Sequence, residues 1–386
     1  MATEKNNAEQ VPSESARPHE QPRSREIGRR EMLLRGGTTV ALAGLAVAGA
    51  KWLYDPVGDA GLQPPEPIHL KDYFARIKAD LPASAPRISA AFASAGSFDS
   101  LPKIEQMVRA AVGGLDRDLG MGRFVEKGDT VMIKPNVGFD RGPALGATTN
   151  PDVVRAVIRL CREAGAARII VADNPIEDPA ACFAKSGIKA AAEAEDAEVI
   201  IHSDAHDAPV QVRATAPDGA KGEALGTWPI FWKPLKEADK VIGIPPIKDH
   251  NLCFASMSMK NWYGLLGGRR NQFHQAIHNI ISDLGFMMRP TLIVVDGTRV
   301  MMRNGPTGGR LDDIKVGGVN GAPAIVASVD QLASDSWCVQ KLLGRDPAQL
   351  QYLNLAWEKF GNDPSRIVAR SWQEYQTQGK VVEAVV

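Results

Sequence analysis

The sequence predicts an α/β fold, a mostly parallel sheet with helices on both faces, arranged as two lobes around a cleft. Three observations carry that expectation. Apolar runs of strand length, such as "DTVMIKPNV" and "ARIIVADNP", alternate with stretches of helical period. The runs are apolar throughout, as in strands covered on both faces. The chain has 386 residues and 44% apolar content, enough for one large core or two lobes.

In order, "LPKIEQMVRAAVGGL" has helical spacing at Ile104, Met107, Val108, Ala111 and Val112. A strand follows at 129–137. "NPDVVRAVIRLCREAGA" reads as an amphipathic helix, capped by Asn150 with Pro151 at its first position. The next elements are the strand "ARIIVADNP", a helix over about 180–195 and the strand "AEVIIHS". "DKVIGIPPI" is a strand, followed by helices near 256–266 and 272–287. "PTLIVVDGT" and "APAIVASVD" are strands, and "DQLASDSWCVQKLLG" and "PAQLQYLNLAWEKFG" are helices.

These assignments place an α/β core at 101–345 and a C-terminal helical extension at 346–386. Residues 51–100, with "LQPPEP" and "SASAGSFDS", read as a linker with a short helix near 70–80. Residues 1–35 read as a disordered polar tail, and 36–50 as the apolar region of a signal. Arg29-Arg30 ahead of Met32-Leu33, then an uncharged stretch rich in Gly, Ala and Thr, resemble a twin-arginine export signal. The expected location is periplasmic or exported, with the twin-arginine machinery as a partner. A signal-anchor is the alternative, and membrane contact is expected only through this segment if it is uncleaved. Its apolar run is short against the ~20 residues of a full span.

Forty-five Lys plus Arg balance 45 Asp plus Glu, so no basic excess points to nucleic acid. Cys161, Cys182, Cys253 and Cys338 are scattered without CxxC spacing, and no iron–sulfur cluster or zinc ribbon is expected.

In parallel sheets, ligands bind beyond the carboxyl ends of the strands. Lys134 and Asn136 follow one strand, Asp173 and Asn174 a second, His202, Asp204 and His206 a third, and "PPIKDH" a fourth. Asp296 lies at the end of another. "KDHNLCFASMSMKNWYGLLGG" gathers Lys248, His250 and Lys260 around an uncharged segment. A desolvated lysine loses basicity and becomes a usable base or nucleophile, and a histidine nearby can shuttle its proton. Lys260, His250 and Lys248 are therefore the catalytic candidates. Lys134, Asn136, Asn261, Asp296, Arg269 and Arg270 are the candidates for holding a ligand or cofactor, the two arginines suiting a carboxylate or phosphate. His274 and His278, four apart on one helix face, are the metal candidates, with His202, Asp204, His206 and Asp207 a second group. Solvated loops and polar turns would show the same residue types. "NGPTGGR" lacks the GK[ST] ending of a P-loop, and no GxGxxG opens a helix.

"VMIKPNV", "ATTNPDVVRAVIRLCREAGAARIIVAD", "KVIGIPPIKDH", "SMKNWYGLLG", "NQFHQAIHNII", "PTLIVVDGTRVMMRNGPTGG" and "IVASVDQLASDSWCVQKLLG" together resemble the bacterial and archaeal domain-of-unknown-function family 362. Many relatives in it carry a ferredoxin-like cysteine module, which this chain lacks, and the family implies no general activity. More loosely, the order His250, Lys260, His274 is similar to the nickel-pincer lactate racemase family. That similarity implies His250 as acid/base, Lys260 as the lysine tethering a nickel-type organometallic cofactor, His274 as a metal ligand, and racemase- or isomerase-like chemistry. The chain departs from that pattern: Met257, Ser258 and Met259 stand where the family has glycines, and the family's early histidine motif is missing. The expectation is an exported enzyme acting on a small anionic substrate, carboxylate or phosphorylated, by proton transfer, with a divalent metal or organometallic cofactor as candidates. The alternatives are a periplasmic anion-binding protein without catalysis and, disfavoured by the absent cysteine clusters, a redox protein.

Overall fold

The structure is a computed structural model. It describes residues 68–386 apart from 78, 80, 83, 95–98, 212–224, 226, 362–370 and 379–380. The tail, the arginine pair and the signal segment lie outside the described residues. The described residues fall within one compact unit, and it is the α/β core expected over 101–345 with further elements at both ends.

A large sheet runs through it in the order β13-β2-β12-β10-β8-β3-β4-β5. Its parallel half is β5 (Glu198–Ile201), β4 (Arg168–Asp173), β3 (Thr130–Pro135), β8 (Lys240–Ile244) and β10 (Leu292–Met301). β12 (Ala324–Ser328) pairs antiparallel with both β10 and β2 (Ile88–Phe92), and β13 (Val381–Val385) lies parallel to β2. β9 (Pro246–Lys248) and β11 (Ile314–Val316) add to β10. A second, three-stranded sheet holds β1 (Ile68–His69), β6 (Asp207–Gln211) and β7 (Thr227–Phe231).

The apolar runs are strands because both faces of the sheet are covered. In β3, Val131 and Ile133 pack into one apolar cluster and Met132 into the other; in β4, Ile169 and Val171 alternate with Ile170 and Ala172 in the same way. The helices Leu101–Gly113 and Pro151–Glu163 supply one cluster, and Ile277–Met287 and Gln331–Lys341 the other. Asn150 caps its helix as expected, accepting from the Asp152 N–H at 3.0 Å. The helix expected over 180–195 is divided into Pro179–Lys185 and Ile188–Glu193, because Gly187 takes a left-handed φ of +75°.

Two boundaries differ from the sequence reading. The stretch 51–100 holds more than a linker: the short helix expected near 70–80 is Leu70–Arg76 with Phe74 fully buried, and β2 is an unexpected inner strand with Ile88, Ala90 and Ala91 at 0% exposure. Its Ala and Ser side chains have low strand propensity, and packing between β12 and β13 overrides it. The segment 346–386 contains the helices Gln351–Gly361 and Trp372–Thr377, but it ends in β13, which adds an edge to the sheet.

Candidate functional site

β3, β4 and β8 are parallel, so their carboxyl ends open on the same side. A cavity of about 420 Å³ lies there, within the size range of small-molecule sites. Lys134 and Asn136 reach it from β3, Asp173 and Asn174 from β4, and Lys248 and His250 from β9 and the loop beyond. Lys260, Asn261, Tyr263, Gly264, Arg270 and His274 close it from the segment that follows.

The deepest group is an ion pair. Lys134 is fully buried, and its Nζ lies 2.7 Å from Asp173 Oδ1. It also donates to Pro135 O at 2.9 Å and Asn261 Oδ1 at 3.1 Å, which occupies all three donors of the ammonium. Burial pulls the Lys134 pKa down and Asp173 opposes the pull. Asp173 is equally engaged, accepting from the Asn174 and Val137 N–H groups. Gly264 is required beside them, because a Cβ there would fall 2.1 Å from Asp173 Oδ1 and 2.6 Å from Lys134 Nζ.

Lys248 is different. It is 1% exposed and, among the described residues, meets no carboxylate, donating to Asn136 Oδ1 at 3.1 Å and Ala147 O at 2.7 Å, with the Phe139 ring centroid 5.1 Å away. Two acceptors match the two N–H bonds of a neutral amine, leaving one position for a lone pair or a third proton. Burial, reinforced by the charges of Lys260 and Lys134, brings its pKa down to about 7. Lys260 is half-buried. Its ammonium stands 4.9 Å from the Tyr263 ring centroid, and among the described residues no hydrogen bond holds it. Desolvation lowers its pKa too.

The helix that carries Lys260, Ser258–Asn261, is too short to hold itself. Asp335 fixes it from outside, accepting from the Ser258 N–H at 2.9 Å and the Met259 N–H at 3.0 Å. Burial pushes the Asp335 carboxyl up to about 7. Trp262 Nε1 donates to Gln331 Oε1 at 2.8 Å on the same neighbouring helix. Asp335 was missed at the sequence level. The available signal was a carboxylate inside the otherwise apolar and small run "LASDSWCV".

The two cavity histidines hold opposite tautomers. His250 Nδ1 accepts from the Leu252 N–H at 3.1 Å, so the neutral ring carries its proton on Nε2. Burial and then the Lys260 and Lys248 charges hold its pKa down to about 2, so it stays neutral. His274 Nδ1 donates to Asn271 O at 3.0 Å, which leaves Nε2 with its lone pair. Burial lowers the His274 pKa as well.

Other candidates stand elsewhere or are already engaged. Arg270 borders the cavity, but its guanidinium donates to the carbonyls of Tyr263, Leu266, Asn174 and Pro175, so it staples the loop. Arg269 is exposed and outside the cavity lining. Asp296 is buried away from the cavity, bracing the Asn150 and Thr298 N–H groups. His278 also lies off the lining, and among the described residues its buried Nδ1 has no hydrogen-bond partner.

Lys260 and His274 therefore share the cavity, but His278 does not complete a metal set with them. Asp173, the cavity's carboxylate, is occupied, and the surrounding cations favour an anion over a bare divalent ion. A His/Asp/Asp group that could hold a metal lies apart, at His202, Asp204 and Asp207, with ligand atoms within 4.8 Å of one another. Its His202 Nε2 and Asp207 Oδ1 are already 2.8 Å apart.

A thylakoid-associated protein of Synechocystis sp. is 29% identical over 255 residues, 64% of this chain and 72% of that protein. Among the described residues, no helix is long and apolar enough to cross a membrane. A Thermotoga maritima crystal structure aligns at 14% identity with a TM-score of 0.33, over 51% of this chain and 50% of the other. The lactate racemase apoprotein of Thermoanaerobacterium thermosaccharolyticum aligns at 15% identity and a TM-score of 0.32, over 56% and 52%. The chain thus spans about half the length of those two structures. The model of the family described as Domain of unknown function (DUF362) matches residues 131–340, more than half of the chain and every residue lining the cavity, and the chain belongs to that family.

Proposed function

We propose that the protein is an exported enzyme that binds a small carboxylate or phosphorylated substrate in this cavity and moves a proton on it. The observation that carries this reading is Lys248, a buried amine with no carboxylate partner among the described residues and a pKa of about 7, next to Lys260. An amine that titrates near neutral pH can accept a proton and return it within one turnover. Lys260, whose donors the described residues leave open, binds the anion. The Lys134–Asp173 pair sets the field and fixes Asn261. His250 offers an N–H to the substrate, and His274 offers a lone pair on the same cavity.

Wash-in of solvent deuterium tests this. The purified chain is incubated in D₂O with a panel of hydroxy, oxo and phosphorylated acids and followed by NMR. The expected result is exchange of a carbon-bound proton of at least one acid, lost in Lys248→Met, with anion binding lost in Lys260→Met. Binding without exchange by any acid refutes the enzyme and leaves an anion-binding protein. Export is part of the reading and rests on the arginine pair at 29–30.

A further inference from the structure

The cavity is graded from floor to mouth. At its floor, Lys134, Lys248, Asn261 and Asp173 are at most 3% exposed. At its mouth, Ile176 is 44% and Leu252 47% exposed, and both line the same cavity. Half-buried Phe139 lies on the lining between these extremes of exposure. The apolar mouth residues are held in place. The Leu252 N–H is fixed on His250 Nδ1, the Asn251 N–H donates to Gly305 O at 3.1 Å, and the Ile176 N–H donates to Gly138 O at 3.2 Å. An exposed, fixed apolar pair at the rim of a cationic pocket is the pattern of a site that covers an apolar group on its ligand.

Resting on the anion reading above, the geometry points to an amphipathic substrate class: a carboxylate or phosphate that carries an aliphatic or aromatic tail, with its charge among the lysines and its tail between Ile176, Leu252 and Phe139. Lactate-sized acids would fill the floor and leave the mouth bare. His250 then has a positioning role, because its ring nitrogen sets the loop that presents Leu252.

The test is isothermal titration of the full chain with acetate, butyrate, hexanoate and octanoate, each as a monomer, alongside orthophosphate. Burying one methylene is worth about fourfold in affinity, so each added methylene is expected to gain roughly two- to fourfold while it lies within the mouth. Leu252→Ser and Ile176→Ser, both at exposed positions, should lower the ratio of octanoate to acetate affinity. Equal affinity for acetate and octanoate overturns this inference and leaves the anion reading intact. A gain with chain length that both serine variants keep overturns the assignment of the mouth. Failure of all the anions to bind removes both readings. Binding to anionic vesicles with no preference for octanoate over acetate overturns the inference in favour of a membrane contact.

Discussion

Replacing Lys248 with Met should change how stability depends on pH. The folded chain binds the Lys248 proton with a pKa of about 7, against 10.5 for an ordinary lysine. Between those two values the unfolded chain holds a proton that the folded chain has released. Stability therefore rises with pH across that window, at ~1.4 kcal/mol per pH unit for one group. Below pH 7 both states are protonated, and the folded state carries the full penalty of the buried charge. Summed over the window, wild type should gain up to about 5 kcal/mol on Lys248→Met. The substitution also leaves Asn136 Oδ1 and Ala147 O without their donor, which costs ~1–3 kcal/mol but does not vary with pH. The slope of the difference is thus the signal, and its offset is not. Urea unfolding of both proteins from pH 6 to 10.5 measures it, and urea keeps ionic strength constant. Parallel curves would mean that Lys248 titrates as an ordinary lysine, and the proton-transfer reading would lose its base.

Three other outcomes are expected. Gly264→Ala drives a methyl into the Lys134–Asp173 pair, and disrupting a buried pair costs about 3–5 kcal/mol; a melting temperature equal to wild type would contradict the geometry. Asp335→Asn turns an amide N–H toward one of the two N–H groups it serves, so ~1–3 kcal/mol of stability should be lost together with anion affinity, and unchanged titration heats would show that Lys260 does not depend on this brace. Changing Arg29 and Arg30 to Lys should hold the folded protein in the cytoplasm, as cell fractionation would show; normal export of the double variant would refute the twin-arginine reading.

Much of the architecture was legible, because buried parallel strands are uniformly apolar and the Asn150-Pro151 helix start is a local signal. The cavity was legible through topology: residues at the ends of parallel strands must share one side, and Lys134, His250, Lys260 and His274 line one space. Hydrogen-bond partners were not legible. Arg270 looks like an anion clamp until its four carbonyl acceptors are seen, two of them nearly a hundred positions upstream in the chain. Asp296 looks like a ligand until the Asn150 N–H takes it. β2 escaped because Ala and Ser become strand residues only when neighbours on both sides supply the ladder.

The pairing of β2 with β12 and β13 carries a consequence for how the chain is made. β2 leaves the ribosome early, yet both of its partners belong to the last third of the chain. Until they arrive, its N–H and C=O groups have no sheet to join, and such an edge invites pairing with other chains. Ser89, Ala90 and Ala91 in "ISAAF" soften that hazard, because they lower the β-propensity that marks stacking segments. The residues that hid this strand from the sequence reading thus suit a segment that waits through most of synthesis for its place.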